Sequence, residues 1–276
     1  VMLTALSRQF TAEVLKARKR SLFFGTLGLL LFFAILPLPI AIAGAADASI
    51  RDWARDIVTF PGCLWNTLKL THLVLPMLIT VVAAGAVGGE YSGGTWKMTL
   101  PRTTSRASPL LAKFLATLVL TLGTLAFTFA FAAAMGAVGS LILGFPFVAG
   151  PLGLGAGDLG RMVAYFVLEF SCIISLAMLA SVATRSLIGG AVLGYVSQHL
   201  LRALTFLPGG WLSPMTNLES LQARWLAQSS YRIADVEAAM GRAMSWQAST
   251  ATVVVFTVGC GLVAIWLFEK RDLASE

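Results

Sequence analysis

Six apolar stretches, each long enough to cross a bilayer, leave this chain few soluble options. They run over residues 22–43, 68–87, 110–143, 161–183, 187–207 and 249–268. About 20 apolar residues at ~1.5 Å per residue cover a hydrocarbon core of ~30 Å. Lipid offers the backbone no hydrogen bonds, so such segments are expected as closed helices. Composition agrees: 57% of the 276 residues are hydrophobic and 12% are charged, against roughly a quarter charged in soluble domains. The expected fold is an all-α membrane protein with six transmembrane helices in one domain, residues 1–276.

The net charge of +7 does not imply nucleic acid, because the cations lie beside the apolar spans, where they set topology and attract anionic headgroups. Arg8, Lys16, Arg18, Lys19, Arg20, Lys97, Arg102, Arg106, Lys113, Arg185, Lys270 and Arg271 fall on one side of a six-span layout. Arg51, Arg55, Lys69, Arg161, Arg202, Arg224, Arg232 and Arg242 fall on the other. The bias places both termini in the cytoplasm. The first apolar run exceeds signal-peptide length and is read as a retained span.

Ahead of that run, residues 3–20 carry Leu3, Leu6, Phe10 and Val14 at helical spacing, with Arg8, Lys16, Arg18, Lys19 and Arg20 on the remaining surface. A basic amphipathic helix of this kind lies in the headgroup plane; a plain topogenic leader is the alternative. Pro37 and Pro39 are expected to kink or fray the outer end of the first span, and Pro76 to kink the second. Asp47 to Asp56 reads as an exposed external segment. Small residues four apart predict close helix approach at Gly85 and Gly89, at Ala132, Gly136 and Ser140, and at Gly190 and Gly194. Residues 209–247 are expected as external helices on or dipping into the outer leaflet, with Ser213 capping a helix that starts at Pro214 and Asp235 capping a second.

The polar connection between the second and third spans has an order of its own. Glu90 leaves the apolar helix, Gly93-Gly94-Thr95 turns, Leu100-Pro101 follows, then Ser105-Arg106, and Lys113 marks re-entry. In Glu90, Gly94, Thr95, Leu100, Pro101, Ser105, Arg106 and Lys113 the loop resembles the first cytoplasmic loop of the ABC-2 type permeases. Phe268-Glu269-Lys270-Arg271-Asp272-Leu273 looks like the basic tail closing many of them. The resemblance implies the membrane subunit of an ATP-driven exporter in a bacterial plasma membrane. The N-terminal helix would be an elbow helix, and residues 90–106 a coupling loop touching an ATPase subunit through Glu90, Gly94, Thr95, Arg102 and Arg106. Two ATPase copies and a second permease copy, identical or related, would complete the assembly, with alternating access as mechanism.

The chain has no GxxxxGK[ST], so any ATP and Mg would belong to the partner and the chain itself is not expected to be an enzyme. Gly155, Gly157 and Gly160 spell GxGxxG but lie between membrane spans, without the strand that a dinucleotide site needs. Cys63, Cys172 and Cys260 are scattered, and with His72 and His199 as the histidines no metal site or cofactor is expected. Glu169 lies about two turns into the fourth span, where a charge is costly and faces the bundle interior. Arg202 and His199 lie at similar depth on the fifth, so an intramembrane cluster of Glu169, His199 and Arg202 is expected, either a structural clamp or part of a substrate path. Cargo would be amphipathic or hydrophobic: a peptide, drug or lipid. An ion-coupled secondary transporter and a non-transport scaffold or sensor are the other readings.

Overall fold

The computed structural model describes residues 2–47, 49–96, 107–148, 156–207, 209–226 and 233–270. Regular structure among them is helical, apart from one isolated bridge between Phe60 and Val148. In chain order the helices are α1 (Met2–Arg18), α2 (Ser21–Ile35), α3 (Pro37–Gly44), α4 (Arg51–Val58), α5 (Gly62–His72), α6 (Leu75–Ser92), α7 (Ala107–Leu143), α8 (Ala156–Thr184), α9 (Leu187–Ala203), α10 (Pro214–Trp225), α11 (Ile233–Met240) and α12 (Trp246–Lys270).

Among the described residues, five stretches are long and apolar enough to cross a membrane: Ser21–Gly44, Leu75–Ser92, Ala107–Leu143, Leu159–Thr184 and Trp246–Lys270. The sequence placed a sixth at 187–207. There α9 has 17 residues, about 25 Å at 1.5 Å per residue, and a 3-10 turn at Leu204–Phe206 follows. The second span also starts later than residue 68. Pro76 does not kink a continuous helix: α5 ends at His72, the chain turns through Leu73 and Val74, and α6 begins at Leu75. Proline lacks an N–H and disfavours helical backbone just before it, so it sits best in the first turn of a new helix.

The chain forms two compact units. One holds Ser21–Leu75 and Leu122–Gly160. Here Asp47 to Asp56, expected as an exposed segment, contains most of α4. Arg51, Asp52, Arg55 and Asp56 point to solvent, while Ala54, Ile57 and Val58 are buried against Ala41, with Ala45, Leu143 and Phe145 at the edge. That spacing is one face of a helix. The stripe on α7 makes the expected close approach: a Cβ at Gly136 would lie 2.8 Å from Val58 O and 2.9 Å from Cys63 Cβ. Ser140 Oγ donates to Val58 O at 3.1 Å.

The other unit holds Val1–Arg20, Pro76–Thr121 and Arg161–Glu276. α8 and α9 form a hairpin that turns at Arg185 (φ 54°) and restarts at Ser186, whose Oγ accepts from Gly189 N at 3.2 Å. Gly190 packs on Ser181, and Gly194 on Ala177 and Thr80. Gln198 Nε2 donates to Thr80 Oγ1 at 2.7 Å, pinning α9 to α6. On α6 a close approach is made at Gly88 and not at Gly89. A Cβ at Gly88 would lie 2.5 Å from Leu187 Cα and 2.6 Å from its N, whereas one at Gly89 would meet nothing nearer than Arg20 Nη1 at 3.9 Å. The helix azimuth, not the four-residue spacing, decides which glycine faces the neighbour.

Helix α10 is enclosed by its neighbours: Met215, Thr216, Asn217, Leu218, Ser220, Leu221 and Gln222 are all buried, and it packs on α9, α11 and α12. Pro214 occupies the first turn as expected, but Ser213 directs its hydroxyl to Leu201 O (2.5 Å) instead of capping the helix. Asp235 lies in the first turn of α11 rather than at its cap.

Candidate functional site

The charges of the second unit converge where α6 ends. The end is dictated by Gly94. Gly94 N donates to Tyr91 O (3.2 Å) and Thr95 N to Glu90 O (3.1 Å), the paired bonds of a Schellman motif, with Gly94 at φ 63°. An L-residue with a Cβ avoids that left-handed backbone, which is why glycine stands there. The turn brings Thr95 Oγ1 back to donate to Glu90 Oε2.

Glu90 is buried at 2% exposure. A carboxylate at a helix C-terminus meets the negative end of the helix dipole, so its burial demands cations. Three supply it. Lys16 of α1 donates to Glu90 Oε1, Arg20 Nη2 lies 3.7 Å away, and Lys113 Nζ of α7 donates at 3.1 Å. Lys113 is equally buried. It donates a second bond to Glu13 Oε2 at 2.7 Å and sits 5.4 Å from the centre of the Trp96 ring. Arg20 Nη1 also donates to Gly85 O at 2.7 Å, and Ser108 donates to Gln9. The result is an alternating network, Glu13, Lys113, Glu90, Lys16 and Arg20, that ties α1 to the adjoining ends of α6 and α7. Trp96 packs against Phe268 of α12, ring centres 4.8 Å apart and the rings tilted by 59°, with Tyr91 beside both, so the floor of the network is aromatic.

Glu90 and Thr95, proposed from the sequence to touch a partner subunit, thus turn inward to each other and to the network; Gly94 is exposed. Arg102 and Arg106 lie outside the described residues, as do Arg271, Asp272 and Leu273. Sequence reasoning missed the partners from α1. Glu13 is the one acid between residues 2 and 18, and an isolated acid on a basic amphipathic helix was the available signal.

The residues of the second expected cluster make these contacts. Glu169 is buried in α8 at 6% exposure. Arg202 Nε lies 2.5 Å from Glu219 Oε1 of α10. His199 packs edge-on against Tyr195, ring centres 4.6 Å apart. Around Arg202 the contacts run to α10: Thr205 bonds Thr216, and Tyr165 Oη donates to Gln222 Oε1 at 3.2 Å. The polar side chains of α10 are what the ends of α8 and α9 hold on to.

No curated protein matches the chain. The resemblance to the ABC-2 type permeases is corrected: the family model that matches is a different one. Its match spans Glu90, Thr95, Lys113, Glu169, Arg202 and Glu219, and begins after α1. Through residues 62–274, the chain belongs to the family described as "Protein of unknown function (DUF2705)".

Proposed function

We propose that this chain is a multi-pass transport subunit, a permease that works beside a second copy and takes its energy from a separate ATP-hydrolysing subunit docking on the cytoplasmic face. The observation that carries the reading is the buried network at Glu90. It joins a basic amphipathic helix to the ends of two spans, so a push on that face moves α1, α6 and α7 together, as rigid-body coupling requires. The sequence supports a separate energy source, since it contains no P-loop pattern. In this reading α1 lies in the headgroup plane as an elbow, α9 with its 3-10 extension makes the sixth crossing, both termini face the cytoplasm, and cargo is amphipathic or hydrophobic.

The test is isolation of the chain from its native membrane in mild detergent, with mass spectrometry of what accompanies it, and transport in inside-out vesicles. A P-loop ATPase should co-purify, and cargo accumulation should stop on ATP depletion. Accumulation that survives ATP depletion but collapses with an ion gradient would replace the proposal with ion-coupled transport. A chain isolated without an ATPase and without transport would leave a scaffold.

A further inference from the structure

Within the second unit, α7, α8 and α12 leave between them a groove of about 370 Å³. Its walls are mostly hydrocarbon: Leu111 and Phe114 from α7, Leu168 and Met178 from α8, Val258 and Ile265 from α12, with Ser171 and Thr257 as polar members. Ser175, also in the wall, donates its hydroxyl to Cys172 O at 2.9 Å, so that polar group is turned away from any occupant. The volume lies in the range of ligand-sized pockets.

Shape decides what fits. The α12 wall runs from Val254 to Ile265, eleven helical steps or about 16 Å at 1.5 Å each. That is close to one leaflet, half of a ~30 Å core. A stretched methylene chain of that length matches the groove, given carbon contacts at about 3.5–4.0 Å. The mouth opens where Leu111 and Val258 are themselves exposed, beside Val255 and Leu262 on the open face of α12. At the end nearest Ile265 the last turn of α12 carries Lys270, its Nζ 4.3 Å from the Trp266 ring centre. Tryptophan and lysine in that position mark the headgroup level.

We infer that this groove binds one acyl chain of an anionic phospholipid from the leaflet on the Lys270 side, with the phosphate beside Lys270. The inference stands apart from the transport reading, because a retained lipid serves a permease and a scaffold alike. Gly261 offers the means of testing it. It lines the groove, and a Cβ there would meet nothing within 4 Å; Gly259 is equally open but lies outside the lining.

The full chain is placed in nanodiscs of phosphatidylglycerol and phosphatidylcholine containing phosphatidylglycerol with a mid-chain diazirine. It is photolysed, and adducts are mapped by mass spectrometry. Lipid retained after detergent extraction is counted by native mass spectrometry. Adducts should concentrate on Phe114, Met178 and Val258. Gly261→Leu should lower retained lipid at least fivefold, Gly259→Leu should leave it unchanged, and Lys270→Gln should reduce the preference for phosphatidylglycerol about fivefold. Adducts spread evenly onto Val255 and Leu262 in the unaltered chain would mean annular lipid alone and overturn the inference, as would equal retention in the two glycine variants. The adduct map needs no variant, so a misfolded Gly261→Leu does not shield the proposal.

Discussion

Removing one member of the Glu90–Lys113 pair should cost far more than removing both. Each side chain is 2% exposed, and an uncompensated buried charge costs about 3–5 kcal/mol. Neither would be wholly uncompensated. Lys113→Leu leaves Glu90 with Lys16 and with Arg20 at 3.7 Å; Glu90→Leu leaves Lys113 with Glu13 at 2.7 Å. We therefore expect about 2–3 kcal/mol for each single change, at or just below the lower end of that range. In the double variant, Lys16 and Arg20 are released at partly exposed positions, and Lys16 retains Glu13 at 3.9 Å. With the buried charges replaced by apolar side chains, the net cost should fall to about 1–2 kcal/mol. The cycle then gives a coupling of about 3 kcal/mol, at the top of the range for residues in contact. Reversible unfolding in mixed micelles measures all four proteins. Single changes that cost under about 0.5 kcal/mol, or a double cost equal to the sum of the singles, would refute the argument.

Other positions give sharper local tests. Gly88→Ala should destabilise by about 1–3 kcal/mol, because its Cβ would press on the Leu187 backbone, which cannot rotate away; Gly89→Ala, with open space, should be neutral or stabilising, as a thermal shift in detergent would report. Burial pushes the Cys63 thiol up to about 11. Its thiol therefore stays protonated at neutral pH, and maleimide labelling should rise about tenfold per pH unit from 7 to 10; a flat profile would contradict the burial. Because Arg202 is 45% exposed and Glu219 14%, breaking that pair by Arg202→Ala should cost about 1 kcal/mol or less. Tyr165→Phe, which removes a buried bond to Gln222, should cost about 0.5–1.5 kcal/mol.

What the sequence disclosed and what it hid have separate physical causes. Apolar length is a local property, so the five crossing-length helices among the described residues could be read directly, and so could the proline interruption after Leu36. Helix α4 was hidden because its four charges dominate the composition of residues 47–56, although Ala54, Ile57 and Val58 already mark a buried face. Counting residues inward from a membrane end gives the depth of Arg202, but not the side of α9 on which it lies. Azimuth turns Arg202 toward Glu219 of α10. Gly88 was missed in the same way, since a GxxxG spacing fixes separation along a helix and not the direction of the neighbour.

The Glu-Gly-Thr order at residues 90–95 is instructive for a different reason. It is a real signal, and its source is local. A helix that ends in a Schellman turn needs glycine two residues past its last turn. A carboxylate buried in that last turn needs donors, because the helix dipole opposes it. The turn itself delivers the side chain two residues beyond the last carbonyls back over the helix end, so a threonine there becomes one donor, and a lysine entering on the next helix becomes another. Those demands generate glutamate, glycine, threonine and lysine in that order wherever a span ends in a buried charge. Such a set identifies a helix terminus before it identifies a lineage. That is why it stands unchanged in a chain whose family is a different one, and why its function is to be sought in what the network binds together: α1, α6 and α7.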